Sequence, residues 1–407
     1  MKSPMLSMDE ALAALSAQAR PLPGVETVAT LAAHGRVLAQ CVRSTIDVPP
    51  MDNTSMDGYA VRSADTRIPG TSLRVAQRIA AGHVGNPLEA GTTARIFTGA
   101  MIPRGCDAVV MQEQCVVDGD AVIVNHAPQP GEWIRRAGED IRRGAEILSA
   151  GTRLSPQACG LAASVGLPLL QVRPRLKVAV FYTGDELAMP GEELRSGAIY
   201  NSNRFMLRGL IEALGCTLTD FGIVRDSLDE TRRVLRAAAA QNDLVVTTGG
   251  VSVGEEDHVR PAVEAEGEIR LWQIAIKPGK PLAHGRIRGG GADEAADFIG
   301  LPGNPVSAFV TFVMFVRPFI LRRQGVAAVE PQALDMRADF AWPKADRRRE
   351  FLRARRNRRG GLDLFPNQSS GVLTSTVWAD GLIDNPPGHA ITAGETVRFL
   401  PLSELLT

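Results

Sequence analysis

A short apolar run that ends in two glycines constrains the fold of this chain more than any other feature. Residues 244–246 are apolar and largely β-branched, which is typical of a buried strand, and Thr-Thr-Gly-Gly follows at 247–250. Adjacent glycines permit positive φ and let a ligand approach the main chain closely. In open parallel sheets, ligands bind at the carboxyl ends of strands, where such loops gather. A Gly-Gly turn alone is more often only a turn, so the neighbouring segments decide its meaning.

Strand patterns alternate with helix patterns over 175–325. The predicted strands are 178–182, 218–224, 244–246, 271–276 and 298–301. The predicted helices are 202–214, 227–240, a segment after Asp257, and one that begins at Val306. This alternation predicts a parallel α/β domain, in which the loops after the strands share one edge of the sheet.

The flanking segments indicate further domains. Capping signals at Ser7 and Ser155 predict helices over 8–19 and 155–164, and a short helix is predicted over 28–34. Short alternating runs between Gly, Pro, Asn and Asp indicate a β-rich module inserted between these helices. The predicted domains are a helical/linker domain over 1–46 plus 140–174, an inserted β-rich domain over 47–139, the α/β domain over 175–325, and a C-terminal β domain over 326–407.

The composition is that of an ordinary globular protein, and we expect it in the cytoplasm. The 407 residues are too many for one hydrophobic core, and 45 Lys and Arg residues balance 45 Asp and Glu residues. This balance gives no reason to expect a nucleic acid or membrane partner. The five cysteines form no C-x-x-C pair, which disfavours a disulfide framework or a zinc site. The apolar segment 306–316 is too short to span a bilayer, and we expect no signal peptide.

Several common catalytic motifs are absent from the sequence. It contains no G-x-x-x-x-G-K-[ST] loop, no G-x-G-x-x-G opening a βαβ unit, no H-E-x-x-H pair and no G-x-S-x-G elbow. The six histidines show no metal-ligand spacing. Hydride transfer, P-loop hydrolysis and hydrolysis by a serine triad therefore lack support.

The strand-end loops of the predicted α/β domain carry both acidic and basic side chains. Glu186, Asp226 and Asp257 are acidic, whereas Lys277 and Lys280 are basic. Lysines attract an anion, and Mg²⁺ typically binds one or two carboxylates together with substrate phosphates. The amides at the start of the last helix in this domain also suit an anion. The loops predict a site for an anion with a divalent metal, although each carboxylate taken singly can equally be a helix cap or a solvated turn residue.

Seven motifs in order carry a resemblance to a known family. They are N-T-S-M-D-G-Y-A at 53–60, T-G-A-M-I-P-R-G-C-D-A-V-V-M-Q-E at 98–113, G-E-D-I at 138–141, T-G-D-E-L at 183–187, T-T-G-G-V-S-V-G at 247–254, K-P-G-K-P at 277–281 and L-P-G-N-P-V-S at 301–307. One such motif would be weak, but the set is specific and covers nearly the whole chain. In these motifs the chain resembles the molybdopterin molybdenumtransferase family, which includes the C-terminal domain of gephyrin.

The resemblance implies a fold, a reaction and an assembly. The fold is a multidomain α/β architecture, with a parallel-sheet molybdopterin-binding domain, a helical/linker domain, an inserted β-rich domain and a C-terminal β-barrel-like domain. The reaction inserts molybdate into the dithiolene of adenylyl-molybdopterin and releases AMP, with Mg²⁺ as the cofactor. The assembly is a homodimer whose active site lies at the subunit interface.

The resemblance also assigns site residues. The implied catalytic residues are Asp57, Thr98, Asp140, Glu186, Asp226 and Asp257, of which Glu186, Asp226 and Asp257 would bind the metal. The implied substrate-binding residues are Gly249, Gly250, Ser252, Lys277, Lys280, Pro302, Pro305, Arg353 and Ser370. Lysines together with carboxylates are what a molybdate, a pyrophosphate and a metal require.

The sequence alone also permits other functions and partners. One alternative is the molybdopterin adenylyltransferase of the preceding step, and another is a non-catalytic molybdopterin-binding paralogue or scaffold. That adenylyltransferase and the apoproteins of molybdoenzymes are also candidate partners. The segment 347–359 contains eight arginines, which form either a solvated β surface or a patch that docks an acidic partner or the phosphate-rich cofactor.

Overall fold

The structure, a computed structural model, describes residues 5–250, 258–289 and 295–406. The α/β domain is built on a six-stranded sheet. In sheet order its strands are Thr217–Val224, Lys177–Thr183, Leu244–Thr248, Ala295–Leu301, Pro281–Arg288 and Gly267–Gln273. The first four strands are parallel, and the last two are added antiparallel. The predicted parallel sheet is therefore confirmed where the site loops leave it.

The antiparallel edge departs from the predicted alternation. The predicted strand 271–276 is two strands, Gly267–Gln273 and Ile276–Lys277, and Pro281–Arg288 was not predicted. Because Gly267–Gln273 pairs antiparallel with Pro281–Arg288, no crossover helix is needed between them.

Helices cover both faces of this sheet. Their bounds are Ser202–Ala213, Leu228–Ala239, Val259–Glu266, Pro305–Thr311, Phe312–Val316 (a π-helical segment) and Arg317–Arg323. The last three form one continuous helix, Pro305–Arg323, which is long and apolar enough to cross a membrane, but 83% of its apolar window is buried inside the protein. It is a core helix, as predicted.

The N-terminal helix joins the α/β core. Ser7 caps the helix Met8–Gln18 in a complete capping box with Glu10. Ala11 and Leu15 of this helix are buried in the same apolar cluster as the sheet residue Val178. The capping prediction is confirmed.

Residues 28–34 do not form the predicted helix. They lie in the strand Glu26–Ala29 and the 3₁₀ turn Thr30–Ala32. The strand Glu26–Ala29 pairs with Leu169–Val172, and this long-range pairing outweighs the local helix signal. A second short pair joins Val42–Arg43 to Glu146–Leu148. The linker region thus mixes these strands with the helix Pro156–Ser164, which Ser155 caps as predicted.

The inserted region is β-rich, as predicted. Its six-stranded sheet has the order Ala108–Met111, Gly58–Val61, Thr92–Ile96, Thr71–Ile79, Ala121–Val124 and Cys115–Asp118. Asn53–Thr54 pairs separately with Ile134–Arg135. Loops at one end of this sheet carry Asp57 and Thr98.

The C-terminal strands form a closed five-stranded barrel. They are Leu334–Ala338, Arg349–Arg356, Gly361–Leu364, Gly381–Asn385 and Thr396–Pro401. The helix Thr374–Trp378 lies between the third and fourth of these strands, and the helix Leu402–Leu405 follows the fifth. The barrel closes because Arg349–Arg356 pairs with both Gly361–Leu364 and Gly381–Asn385. Ile276–Lys277 pairs in parallel with Arg349–Arg356, so a loop of the α/β domain is held as an extra strand of the barrel.

Candidate active site

A cavity of about 690 Å³ lies between the carboxyl ends of the parallel strands and the C-terminal barrel. Eight of the sequence-predicted site residues line it, namely Glu186, Gly249, Gly250, Lys277, Lys280, Pro302, Pro305 and Ser370. The cavity therefore brings together the carboxylate, lysine and glycine loops that the sequence placed at one sheet edge. Ser252 and Asp257 lie outside the described residues.

Gly249 holds two strand ends close together. Its φ is +86°, and a Cβ atom at this position would lie 2.6 Å from the carbonyl oxygen of Thr183. Its amide donates to the carbonyl oxygen of Leu301 at 3.2 Å. Only glycine accepts this conformation without strain, so the loop after Leu244–Thr248 is shaped by its glycine.

Lys277 presents its ammonium between two carboxylates of the barrel. Its Nζ lies 3.0 Å from Oε1 of Glu350 and 3.2 Å from Oδ2 of Asp346. Partial burial lowers the pKa of Lys277, but hydrogen bonds to Glu350 and Asp346 outweigh this and raise the pKa above its ordinary value. Lys277 is therefore a fixed cation in the wall of the cavity.

Arg348 is a cavity residue that the sequence reasoning missed. Its guanidinium makes two hydrogen bonds of 3.0 Å to the carboxylate of Asp346. The hydrogen bond from Arg348 dominates over burial and holds the pKa of Asp346 well below its usual range. The sequence showed Arg348 as one of eight arginines, and nothing local distinguished it.

Arg353 lies behind the cavity and does not line it. Its side chain has no exposed surface, and burial lowers its pKa to about 10. Its guanidinium donates to the main-chain oxygen of Phe351 at 3.0 Å and to that of Ser369 at 3.4 Å, and to the Ser375 hydroxyl at 3.2 Å. Arg353 thus supports the barrel loop that carries Ser370, and its direct role in binding stays a prediction.

The turn before the core helix meets the barrel at the cavity. The amide of Val306 donates to the carbonyl oxygen of Ser370 at 3.0 Å, and Asn304 makes no side-chain cap. Asn203, which sequence reasoning also missed, lines the cavity and donates to the carbonyl oxygen of Gly303 at 2.8 Å. Its buried Oδ1 atom has no partner among the described residues. An oxygen of this kind can accept a hydrogen bond from a ligand.

Asp57, Thr98 and Asp140 do not line the cavity of their own chain. Asp57 Oδ1 accepts from the Thr98 amide at 2.8 Å and from the Thr98 hydroxyl at 2.7 Å. These two bonds, first the amide and then the hydroxyl, lower the pKa of Asp57, and the nearby Arg95 lowers it further. Asp140 is exposed, and its amide donates to the carbonyl oxygen of Val48. The inserted module therefore presents Asp57 and Thr98 as a hydrogen-bonded pair away from the cavity of their own chain.

The structure describes two of the three predicted metal ligands, Glu186 and Asp226. Glu186 is exposed at the cavity, and Asp226 follows the strand Thr217–Val224, whose end pairs with that of Lys177–Thr183. The two carboxylates thus leave neighbouring strands at one edge. Within 5–250, 258–289 and 295–406, no group of three or more His, Cys, Asp or Glu side chains could hold a metal ion.

Four of the eight arginines of 347–359, namely Arg348, Arg349, Arg356 and Arg359, pair with carboxylates of the C-terminal region. Arg349 contacts Asp384 at 2.5 Å, Arg356 contacts Asp380 at 3.8 Å, and Arg359 contacts Asp339 at 3.4 Å. Arg355 stacks on Trp378, with 4.4 Å between its guanidinium carbon and the ring centroid. These contacts favour the solvated β surface over a docking patch.

Comparison with known proteins places the whole chain in one family. Residues 6–166 match the MoeA N-terminal region (domain I and II), residues 179–322 match a probable molybdopterin binding domain, and residues 335–402 match the MoeA C-terminal region (domain IV). The crystal structure of the molybdopterin biosynthesis MoeA protein of Pyrococcus horikoshii OT3 matches with a TM-score of 0.83 and 28% identity, over 98% of this chain and 100% of its own.

Two relatives are similar along nearly their full length. Molybdopterin molybdenumtransferase of Haemophilus influenzae is 39% identical over 415 residues, which cover 99% of this chain and 100% of that protein. The protein of the same name from Nostoc sp. is 35% identical, over 93% of this chain and 88% of its own. By its domains, its identity to these relatives and its fold, the chain belongs to the molybdopterin molybdenumtransferase family.

Proposed function

We propose that this chain is a transferase that inserts molybdate into the dithiolene of adenylyl-molybdopterin, releasing AMP and giving molybdenum cofactor. The observation that carries the proposal is the cavity in which Lys277, Lys280 and Arg348 meet the glycine loop at Gly249 and Gly250. Relatives that match nearly the whole chain carry the name of this activity. The site and the family thus favour the same chemistry.

The cavity suits two anions, a tetrahedral oxyanion and a phosphoanhydride. Lys277 and Arg348 offer fixed cations, and Lys280 adds an exposed one. The Ser370 hydroxyl and the Gly250 amide can donate hydrogen bonds to anionic oxygens. Breaking the phosphoanhydride releases AMP as an anion, so positive charge fixed around that bond lowers the energy of its transition state.

Mg²⁺ fits the donor set at this edge. Glu186 and Asp226 offer hard carboxylate oxygens, and Mg²⁺ usually binds one or two of these together with water and substrate phosphate. We propose that Glu186, Asp226 and Asp257 hold it. When bound, the ion would neutralise phosphate charge, which leaves the lysines and arginine to orient the oxyanion.

A homodimer would complete the site. Asp57 and Thr98 lie in the inserted module and Asp140 lies at its boundary with the linker domain, and none of the three lines the cavity of its own chain. We propose that a second copy supplies them to that cavity. The adenylyltransferase of the preceding step and the apoproteins of molybdoenzymes are the proposed partners before and after the reaction, in the cytoplasm.

The test is AMP release from adenylyl-molybdopterin by the pure protein with Mg²⁺, with and without molybdate. Molybdate-stimulated release is the expected result. Binding of the adenylate without any cleavage would instead indicate a non-catalytic paralogue. Formation of the adenylate from ATP and molybdopterin would indicate the adenylyltransferase.

A further inference from the structure

The two fixed cations of the cavity share one carboxylate. Oδ2 of Asp346 lies 3.2 Å from the ammonium of Lys277 and 3.0 Å from Nη2 of Arg348. Oδ1 accepts from the Arg348 amide and from its Nε, each at 3.0 Å. In the described structure both cations thus face the same internal anion.

Glu350 also contacts Lys277, but its surroundings differ from those of Asp346. Its side chain has no exposed surface, and its Oε2 accepts from the indole of Trp342 at 3.0 Å and from Asn385 at 3.3 Å. It sits in the strand Arg349–Arg356, paired with both neighbours in the barrel. Glu350 is therefore a permanent part of the wall, held by three partners.

Asp346 precedes that strand and is partly exposed. Its side chain retains 19% of its accessible surface. Among the described residues, its carboxylate contacts Arg348 within its own turn and Lys277 beyond it, and its main-chain oxygen accepts from the Gly388 amide. Arg348 and Lys277 both line the cavity. An oxyanion that binds both cations must compete with the Asp346 carboxylate for them, because like charges within a few ångströms repel.

We propose that Asp346 is an internal counter-ion that sets the affinity of the cavity for oxyanions, occupying Lys277 and Arg348 until a ligand displaces it. The inference rests on the proposed function for the identity of the natural anion, molybdate. The competition favours a doubly charged oxyanion over a singly charged one. Lys277 and Arg348 each lose their attraction to Asp346 when an anion binds, and only a doubly charged anion replaces that attraction for both. It also speeds release, because the carboxylate re-forms its own bonds as the anion leaves.

The experiment is titration calorimetry of sodium molybdate alone into the full-length protein, at low ionic strength and without pterin. Asp346→Asn keeps the side-chain size and removes the competing charge. We expect molybdate to bind about tenfold more tightly, the effect of one charge at an effective dielectric constant between protein and water. Asp339→Asn is the matched control, since Asp339 pairs with Arg337 and Arg359 in the same barrel and does not line the cavity.

The double variant Asp346→Asn/Arg348→Gln locates the effect. If the gain arises at the shared cations, it disappears when Arg348 is neutralised. Equal or weaker molybdate binding by Asp346→Asn, or an equal gain in Asp339→Asn, overturns the proposal, and so does a failure of both the native protein and Asp346→Asn to bind molybdate. Measurable binding by Asp346→Asn alone supports it. AMP release by the native protein is scored separately, so the transferase function can stand when the counter-ion role fails.

Discussion

The ammonium of Lys277, in a loop of the α/β domain, lies 3.0 Å from the carboxylate of Glu350, in the barrel strand Arg349–Arg356. The two residues are also register partners in the pairing of Ile276–Lys277 with Arg349–Arg356. One side-chain contact and one backbone pairing thus join the two domains at the wall of the cavity. The position of the Lys277 ammonium depends on the side-chain contact and on the backbone pairing.

Glu350→Ala is expected to lower the free energy of unfolding by about 2 kcal/mol, because it removes a fully buried carboxylate that accepts from the partly buried Trp342 indole and the buried Asn385 amide and pairs with the half-exposed Lys277. Glu350→Gln keeps an acceptor for Trp342 and should cost less. Urea unfolding measures both. Glu330→Gln is the control, since Glu330 is 73% exposed in its pair with Arg322 and should change stability by less than about 0.5 kcal/mol. Equal losses in Glu350→Ala and Glu330→Gln would contradict the structural role of Glu350.

Gly249→Ala is expected to destabilise the protein by about 1–3 kcal/mol, because the new methyl group meets the Thr183 carbonyl oxygen at a positive φ. Molybdate-dependent AMP release should fall as the loop shifts. Gly209→Ala is the matched control. Gly209 lies within the helix Ser202–Ala213 with open space around its Cα, so alanine there should stabilise the protein by about 0.5–1 kcal/mol. We expect the midpoint of thermal unfolding to be lower for Gly249→Ala and higher for Gly209→Ala than for the native protein.

His284 should make stability depend on pH. Its ring is buried, stacks 5.7 Å from the ring of Trp272 and meets Phe319 edge-on. Burial, assisted by Arg270 and Arg286, lowers its pKa to about 4. The unfolded state therefore binds the extra proton first as pH falls from about 6.5 to 4, and this titration alone lowers the free energy of unfolding by up to about 3 kcal/mol over that window. Asp297 acts in the opposite sense between about pH 6 and 4, because burial raises the pKa of its carboxyl to about 6.

The variant His284→Phe isolates this contribution. Phenylalanine keeps an aromatic ring in the stack and removes the titration, so urea unfolding should show that His284→Phe gains stability relative to the native protein as pH falls from 6.5 to 4. His83→Gln, at an exposed position of the inserted module, should leave the dependence unchanged. If His284→Phe has the same pH profile of stability as the native protein, a group other than His284 controls the pH dependence.

Mixed dimers test whether two subunits build one site. Asp57→Asn and Lys280→Ala should each abolish most AMP release while keeping the fold, because Lys280 is exposed and Asp57 is half-buried in a surface loop, where Asn keeps an oxygen that can accept from Thr98. When the two inactive variants are unfolded, mixed and refolded together, half of the dimers are hybrids, and one site in each hybrid is intact. About a quarter of native activity should return if the site is shared. No recovery would indicate that each subunit works with its own Asp57.

The sequence alone determined the features that depend on local chemistry. The capping box at Ser7, the buried strand before Gly249 and the apolar helix after Pro305 were all predictable, because each is set by neighbouring residues. The order of the motifs likewise indicated the family. Since parallel strands end at one sheet edge, the sequence also predicted that Glu186 and the lysines lie close together.

The tertiary structure decided everything that depends on long-range pairing. Residues 28–34 changed from a predicted helix to a strand and a 3₁₀ turn, because Glu26–Ala29 pairs with a segment more than a hundred residues away. Within one run of arginines, closure of the barrel sends Arg348 to the cavity and buries Arg353 behind it. The counter-ions of Lys277 and the position of the buried Asn203 amide at the cavity are likewise set by tertiary packing. Sequence spacing gives the loop on which a side chain lies, and only the packed structure fixes the group that it meets.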